Sequence, residues 1–396
     1  MKLVPARSVA PPHTNVASNR TPRHINSRVL LNIIRRQQPL SRADLSRKSG
    51  LRPSTVSLIV DELIASGWVL EGEISKSARG RRPTMLSLNP QRCVIAVDIH
   101  PSQVTIAVVD ISGRIAFEQV LNLPDDPARA ISTLASALKK LIRTHSEVLF
   151  EGIGICLPGR TDISARQLIF APNLHWPVVS LKPRIERATG LPVVMDNVAN
   201  ACALSEVWFG ARSGTRDFVV VAISEGIGTG LFVNGAVARG EAGMAGEFGH
   251  VPIAEDGPLC NCGNHGCWET FASTRAALRI YREISGDKRR ISFANLLEMG
   301  TNHHPAATEA LAQVARNLGR GMRIVAAALA PAEIIVVGEI TRIWSSIGQI
   351  VEQTVHEIPL SRKIRIRPAL DSASARLRSA VALVLSDPRF AGTLND

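Results

Sequence analysis

The sequence has few aromatic residues, few cysteines and no long apolar run. Aromatic side chains make up 4% of the 396 residues, so few rings are present on which a ligand could stack. Apolar stretches such as RIVAAALAPAEIIVVG are interrupted, here by Pro331 and Glu333, well short of the roughly 18 residues that a membrane span needs. The N-terminal residues lack the apolar run of a signal peptide. We therefore expect a cytoplasmic protein that makes no membrane contact.

The chain contains only six cysteines. Because the cytoplasm keeps thiols reduced, clustered cysteines there favour a metal site over disulfides. Cys93, Cys156 and Cys202 stand alone in apolar stretches, and we interpret them as core residues. The other three lie in one segment, GEFGHVPIAEDGPLCNCGNHGCWE, at residues 246–269.

Acidic residues are scarce in the first quarter of the chain. Residues 1–90 contain 15 Lys and Arg against 5 Asp and Glu, a surplus of 10, whereas residues 91–396 contain 31 against 29, a surplus of 2. A basic segment attached to a near-neutral body is typical of nucleic-acid binding. A basic tail that only aids solubility is the alternative.

A helix-turn-helix is predicted within the basic segment. Apolar residues recur at helical spacing in INSRVLLNIIRRQ, which indicates a first amphipathic helix. In SRADLSRKSG, Ser41 is placed to cap a second helix and Gly50 to end it. In LRPSTVSLIVDELIASG, Pro53 suits the first position of a third helix. Two helices joined by a tight turn that contains glycine form this DNA-binding motif.

The start of the third helix would be the surface that reads double-stranded DNA, since side chains there reach base edges or phosphates in the major groove. The candidates are Arg52, Ser54, Thr55 and Ser57. The following segment, GWVLEGEISKSARGRRPTMLSLN, predicts two strands around a basic turn, which is a wing. Its candidates for phosphate or minor-groove contact are Arg79, Arg81 and Arg82. A small helical bundle used for protein contact is the alternative.

From residue 93 onward, strands rich in β-branched residues alternate with helices. CVIAVDIHPSQVTIAVVDISGRI indicates two strands and a turn, and AEIIVVGE a later buried strand. PARAISTLASALKKLIRTH indicates a helix between them. This alternation predicts an α/β body of two lobes with a cleft.

The cysteine segment has the composition of a structural zinc site. Cys260 and Cys262 flank one residue, Cys267 follows after four more, and His250 lies ten residues before Cys260. Three cysteines and one histidine make a closed tetrahedral set with no open position for a water, so Zn²⁺ here would be structural. His265 is a competing ligand, and a disulfide is the alternative to a metal.

The body resembles the ROK family (repressors, open reading frames and kinases), and with its N-terminal domain the chain resembles ROK-type transcriptional regulators. The cysteine segment follows the family pattern G-E-x-G-H, then C-x-C-G-x-x-G-C-x-E, at every defined position. The position of His265 varies in the family, which favours His250 as the ligand. The resemblance implies an actin/hexokinase-like (ribonuclease H-like) fold in two α/β lobes, and a homodimer or homotetramer.

The resemblance also implies a sugar-binding cleft. In ROK sugar kinases, the residues that match Glu247, His250 and Glu269 hold sugar hydroxyls, and zinc fixes the ring of the histidine. Further positions that match sugar contacts are Gly159, Arg160, Asn173 and Asn197. We therefore expect a sugar or a sugar derivative as the effector.

The motifs for phosphoryl transfer depart from the family pattern in three places. Kinases of the family carry an aspartate base directly after an asparagine, and this chain has Val198 there. The phosphate motif D-x-G-x-T begins at Asp98 but has His100 in place of its glycine. The glycine pair expected near the adenosine site is Gly338–Glu339. We expect an inactive kinase, with Asp196 projecting away from the position of the base.

The sequence thus predicts a DNA-binding transcriptional regulator, a repressor of carbohydrate-related genes that senses a sugar in an inactive kinase-like cleft. The alternatives are a ROK sugar kinase fused to a DNA-binding domain and a regulator controlled by a protein partner. The expected segments are a disordered tail (1–24), a winged helix-turn-helix (25–89), a first lobe (90–205) and a second lobe with the zinc motif (206–396). The last helix is a candidate to return to the first lobe.

Replacing Arg81 and Arg82 by alanine should weaken DNA binding and make it less dependent on salt, because two phosphate contacts would be lost. The slope of log K against log salt should become shallower by about 2. Fluorescence anisotropy of labelled DNA at several salt concentrations measures the slope. An unchanged slope would place the wing outside the interface.

Overall fold

The computed structural model describes residues 20–74, 83–101, 103–162, 167–171, 174, 176–210, 217–357 and 364–387. The described part of the chain divides into two compact units, which separate between Leu88 and Asn89. Within these ranges, no helix combines the length and the apolar character needed to cross a lipid bilayer.

The first unit contains three helices followed by two antiparallel strands. They are α1 (Arg20–Gln37), α2 (Arg42–Ser49), α3 (Pro53–Ala65), β1 (Val69–Ile74) and β2 (Thr84–Leu88). Helix α1 begins five residues before the expected domain boundary, so residues 20–24 are helical and do not belong to a tail. Pro22 lies in the first turn of α1, where a missing N–H removes no helical hydrogen bond.

Local signals explain the turn between α2 and α3. The Ser41 hydroxyl accepts from the backbone of Asp44, whose carboxylate accepts from the backbone of Ser41, so a capping box starts α2. Gly50 ends α2 in the left-handed region at φ 72°, and Pro53 occupies the first position of α3. The predicted helix-turn-helix is confirmed.

The second unit has two lobes, each built on a five-stranded sheet. The first lobe contains β3 (Arg92–Ile99), β4 (Gln103–Asp110), β5 (Ile115–Asn122), α4 (Pro127–Thr144), β6 (Leu149–Leu157), the ribbon β7 (Arg160–Asp162) and β8 (Gln167–Phe170), α5 (Leu181–Thr189), β9 (Val193–Asn197) and α6 (Val198–Phe209). Its strand order is β5-β4-β3-β6-β9, in which β3 pairs with β6 and β6 with β9 in parallel, whereas β4 pairs antiparallel with both β3 and β5.

The second lobe repeats this topology with a longer helical insertion. Its elements are β10 (Phe218–Ile223), β11 (Ile227–Val233), β12 (Ala236–Ala238), α7 (Glu269–Ala272), α8 (Thr274–Ser285), α9 (Phe293–Thr301), α10 (Pro305–Leu329), β13 (Glu333–Val337), α11 (Trp344–His356) and β14 (Arg365–Pro368), and α12 (Ser372–Ser386) follows them in the chain. The strand order is β12-β11-β10-β13-β14, again with two antiparallel and two parallel pairings. Every residue of β10 and β13 is buried, which explains why both strands are apolar apart from Glu333 at the start of β13.

The last helix, α12, packs against β3 and β6 of the first lobe. A Cβ atom on Gly154 of β6 would lie 1.9 Å from the carbonyl oxygen of Ala380 on α12, so this close approach requires glycine. The boundary expected at residue 205 falls inside α6, which continues to Phe209. The predicted α/β body of two lobes is confirmed.

Candidate functional site

A cleft of about 840 Å³ is lined by residues of both lobes of the body. It brings together six of the seven residues expected to hold a ligand, namely Gly159, Arg160, Asn197, Glu247, His250 and Glu269. The seventh, Asn173, lies outside the described residues. Residues that are far apart in the chain therefore line one cavity.

Glu247 and His250 lie in one short 3₁₀ turn that packs tightly against β11. A Cβ atom on Gly249 would lie 2.0 Å from the carbonyl oxygen of Ile227, so glycine allows the turn to sit this close to the strand. Nε2 of His250 is 3.7 Å from a carboxylate oxygen of Glu247. Burial raises the pKa of Glu247 above its ordinary value.

Glu269, the first residue of α7, connects the cleft with the cysteine segment. Its side chain is buried, and one carboxylate oxygen accepts from the backbone N–H of Ile227 at 3.3 Å. The other oxygen lies 3.0 Å from Sγ of Cys260 and 3.9 Å from Nδ1 of His250. Glu269 is therefore held in one orientation at the wall of the cleft.

His250, Cys260, Cys262 and Cys267 form one compact group. Their ligand atoms all lie within 4.8 Å of one another, and Sγ of Cys262 is 3.7 Å from Sγ of Cys267. Burial raises the pKa of the Cys267 thiol to about 11 and that of Cys260 further. Thiolates at these positions would need a cation beside them, and three cysteines with one histidine are the ligands that tetrahedral Zn²⁺ prefers.

The competing ligand, His265, points elsewhere. Its side chain is exposed, and Nδ1 lies 3.1 Å from the carbonyl oxygen of Gly257. The neighbouring Gly266 has φ 70°, and a Cβ atom there would lie 1.7 Å from the carbonyl oxygen of Ala254. Only glycine permits this turn, which brings Cys267 back beside Cys262.

Two of the first-lobe residues are already engaged with the protein. Asn197 donates from Nδ2 to the carbonyl oxygen of Gly159 at 2.7 Å, and its Oδ1 accepts from the backbone of Ala199, which caps α6. Nδ2 of Asn197 keeps one further N–H to donate, and its Oδ1 keeps one further position that can accept. Arg160 packs its guanidinium against the sulfur of Met244, and the structure records no carboxylate partner for it within the described residues.

The position expected for a catalytic base is apolar. Val198 begins α6, is buried and lines the cleft. The expectation that Asp196 projects elsewhere was wrong, because Asp196 lines the same cleft. Strand β9 ends beside the cleft, so residues on either side of Asn197 both reach it.

Asp196 is nevertheless occupied by five donors. One carboxylate oxygen accepts from the backbone of Asn197 at 2.7 Å, from the Thr161 hydroxyl at 3.3 Å and from the Asn200 amide at 3.2 Å. The other accepts from Nε and Nη2 of Arg239 at 3.0 and 2.8 Å. These contacts use the acceptor positions that a base would need for a substrate proton.

The recognition candidates lie in the first unit, at and near the start of α3. Arg52 and Ser54 are exposed, and Thr55 and Ser57 are half-buried. Arg79, Arg81 and Arg82 lie outside the described residues. The strands on either side of that segment, β1 and β2, pair as the wing requires.

Sequence reasoning missed two arginines that hold these sites in place. Arg42 on α2 donates to Asp61 of α3 at 2.7 Å and to Glu71 of β1 at 3.0 Å, so it fixes α3 against its neighbours. Arg239 holds Asp196 from the second lobe. Neither arginine lies in a recognisable motif, and only the folded chain brings each one to its partners.

Comparison with known proteins matches both parts of the chain. Residues 94–387 match the ROK family, and residues 25–71 match the MarR family. A xylose repressor of Caldicellulosiruptor bescii is 30% identical over 392 residues, which cover 92% of this chain and 96% of the relative. A glucokinase of Streptomyces coelicolor is 33% identical over 259 residues, which cover 62% of this chain and 81% of the relative.

A solved structure extends the likeness to both units. It is a ROK family transcriptional regulator, a homologue of the E. coli MLC protein, with 26% sequence identity and a TM-score of 0.74. The match covers 92% of this chain and 97% of that one. The fold expected from the sequence is therefore confirmed along most of the chain.

Replacing Arg239 by methionine should destabilise the body, because it leaves the buried Asp196 carboxylate without its cation. We expect the free energy of unfolding to fall by about 2 kcal/mol, less than for a fully buried pair because the Arg239 side chain is 34% exposed; urea titration measures the change. The double variant Asp196→Asn with Arg239→Met should recover most of this loss.

Arg114→Met provides the control, since it removes an exposed arginine beside Asp110. Its effect should stay below about 0.5 kcal/mol. A double variant no more stable than Arg239→Met would show that Asp196 does not depend on this cation.

Proposed function

The chain belongs to the ROK family, and we propose that it is a DNA-binding transcriptional regulator, a repressor of carbohydrate-related genes that responds to a sugar or sugar derivative. The xylose repressor and the ROK regulator described above support this proposal, since both align with nearly the whole chain. The observation that carries it is an asymmetry in the cleft, which offers several groups for a polyol but has Val198 where a base is required.

Glu247, Glu269 and His250 suit the recognition of a polyhydroxylated ligand. Each carboxylate oxygen can accept from two hydroxyl groups, and an imidazole can donate or accept according to its tautomer. Gly159, Arg160 and Asn197, from the first lobe, line the same cleft. Asn173 remains a candidate contact on the strength of the sequence.

The cleft lacks the means for phosphoryl transfer. A sugar kinase needs a group that accepts the proton of the attacking hydroxyl, and valine has no acceptor. The carboxylate of Asp196 is already bound by five donors. These two features support a cleft that binds a sugar without phosphorylating it.

The second candidate is a ROK sugar kinase with a fused DNA-binding domain, which the similarity to a glucokinase favours. Incubation of the protein with a panel of sugars and labelled ATP separates the two candidates. We expect no labelled sugar phosphate. Turnover that disappears in an Asp196→Asn variant would establish the kinase instead.

A structural Zn²⁺ would hold the wall of the cleft in place. His250, Cys260, Cys262 and Cys267 would be its four ligands, and no position would be left for an activated water. Binding through one ring nitrogen would leave the other edge of His250 for a ligand hydroxyl.

The first unit would bind an operator in double-stranded DNA. Arg52, Ser54, Thr55 and Ser57 would contact base edges or phosphates from α3, and Arg79, Arg81 and Arg82 would contact the DNA from the wing. The surplus of 10 positive charges in residues 1–90 supports this role.

A homodimer or homotetramer would place two such units on a pseudo-palindromic operator. A sugar that binds one arrangement of the lobes more tightly than another would change the spacing of the two units. A decisive shift between two states needs about 5 kcal/mol of differential binding. The alternative is that a regulatory protein partner, instead of a free sugar, binds one of the two states more tightly.

The proposal is tested by isolating genomic DNA fragments that the full-length protein retains, and then measuring their release by a panel of sugars. We expect one sequence class of fragments and at least one sugar that releases them. Release that occurs only with a cell extract containing protein, and with none of the sugars, would favour the protein partner. Retention of DNA without sequence preference would contradict a specific regulator.

Glu269→Gln should abolish the response to the effector without changing operator affinity, because the amide keeps the shape but loses the charged acceptor in the cleft. Anisotropy of labelled operator DNA during a sugar titration measures both quantities. Glu309→Gln, on the exposed surface of α10, is the control and should respond normally. A normal response of Glu269→Gln would exclude it as a contact.

Cys262→Ser should lose zinc, because serine is a poor ligand for Zn²⁺ in a thiolate site. Elemental analysis of the purified protein should find one zinc ion per chain in the wild type and a large loss in the variant. Cys93→Ser, outside the cluster, should keep its zinc. Full zinc content in Cys262→Ser would refute the ligand set.

A further inference from the structure

A second group of charged side chains joins the two lobes beside the ligand cleft. Asp98 lies near the end of β3, and His100 follows in the turn to β4. Arg376 reaches Asp98 from α12, and Glu225 lies in the turn between β10 and β11 of the second lobe. The four side chains carry two positive and two negative charges when all are ionised.

The contacts run in one chain from α12 to the second lobe. Nε and Nη2 of Arg376 donate to the two carboxylate oxygens of Asp98, both at 2.7 Å. Nε2 of His100 is 3.0 Å from Oδ2 of Asp98, and its Nδ1 is 3.8 Å from Oε1 of Glu225. His100 therefore lies between a carboxylate of each lobe.

The surroundings keep these groups charged at neutral pH. Burial opposes the charge on His100, but the hydrogen bond to Asp98 and the nearby carboxylate of Glu225 outweigh it and raise the pKa of His100 to about 9. Burial likewise opposes the charges of the two carboxylates, yet their partners lower the pKa of Asp98 and of Glu225 to about 2. The contact between the lobes is thus between a cation and two anions.

This position is the one where the resemblance to sugar kinases implies a phosphate-binding turn. Asp98 cannot serve a metal–phosphate group in the observed arrangement, because Arg376 binds both of its oxygens. The imidazole of His100 stands where that motif has a glycine. In addition, Ser224 and Gly226, on either side of Glu225, line the ligand cleft.

We propose that Arg376, Asp98, His100 and Glu225 form an interlobe latch that takes the place of bound nucleotide. The latch holds the β3–β4 turn of one lobe against the β10–β11 turn of the other. It thereby keeps Ser224 and Gly226 in position at the cleft, so that the effector binds without a nucleotide. Effector binding without a nucleotide rests on the proposed function, whereas the latch itself can be tested without any effector.

His100 and Glu225 are positioning residues in this scheme, and hydrogen exchange measures what they do. The backbone N–H of His100 donates to Gln103 at 2.8 Å, and that of Ser224 donates to Gly226 at 2.9 Å. Both turns therefore contain protected amides that report their opening. The full-length protein is used, without sugar, and compared with His100→Ala, Glu225→Ala and the double variant.

We expect exchange in both turns to become about tenfold faster in each single variant, since a charge-assisted contact between the lobes is lost. The double variant should be no faster than either single variant, because both remove the same contact. His100→Lys keeps a cation between the carboxylates and should restore part of the protection. Exchange in α4, on the far side of the first lobe, should not change.

Glu283→Ala is the matched control, because it removes an exposed carboxylate that pairs with Arg279 within α8 alone. It should leave both turns as protected as in the wild type. Unchanged exchange in Glu225→Ala, or additive effects in the double variant, would overturn the latch. Faster exchange throughout the protein would show a loss of global stability and would also count against it.

A second measurement addresses the replacement of nucleotide. A non-hydrolysable ATP analogue with Mg²⁺, added in millimolar excess to the wild type, should leave exchange in both turns unchanged. Added protection in these turns would show that nucleotide phosphates still enter and would overturn this part of the proposal. Neither result depends on whether any sugar binds or any DNA is released.

Discussion

The Asp196 carboxylate, which lines the cleft, holds together the parts of both lobes that surround it. It accepts from Thr161 of the β7–β8 ribbon, from Asn197 and Asn200 at the start of α6, and from Arg239 next to β12. A buried carboxylate is costly unless its acceptor positions are filled, so these three segments are constrained together with β9, which carries Asp196. The geometry of the cleft depends on this junction.

The same junction supports the proposal that the cleft binds a ligand without performing chemistry on it. Donors that fix a carboxylate also make it unavailable for proton transfer, and the neighbouring base position is an apolar valine. Among the groups suited to a polyol, His250 belongs to the cluster with the three cysteines, and Glu269 contacts that cluster. The proposed ligand contacts and the rigidity of the cavity thus depend on different side chains.

Ion pairs also set the relative positions of elements elsewhere in the chain. In the body, Arg376 and His100 tie α12, β3 and the β10–β11 turn together. In the first unit, Arg42 joins α2, α3 and β1 around the start of the recognition helix. In each case a cation from one element neutralises carboxylates of others. These charge-assisted hydrogen bonds are directional, so they fix the relative positions of the elements more specifically than apolar packing alone.

Local sequence determined much of the architecture. The capping box at Ser41, the stop at Gly50 and the buried strand β13 follow from hydrogen bonding and burial over a few residues, so the residues themselves predict these features. The cysteine spacing likewise defined a candidate metal site, because the three thiols lie within eight residues. Family motifs, rather than physical patterns, supplied the candidate sugar contacts.

Only the tertiary structure decided which of these side chains are free to act. Asp196 was expected to project away from the position of the base, yet it lines the same cleft and is saturated by donors that include Arg239, 43 residues later. The pair of Arg376 and Asp98 spans 278 residues, and no local pattern could connect them. Hydrogen-bond saturation and charge pairing depend on which segments meet in space, whereas periodicity and capping depend on neighbours in the chain.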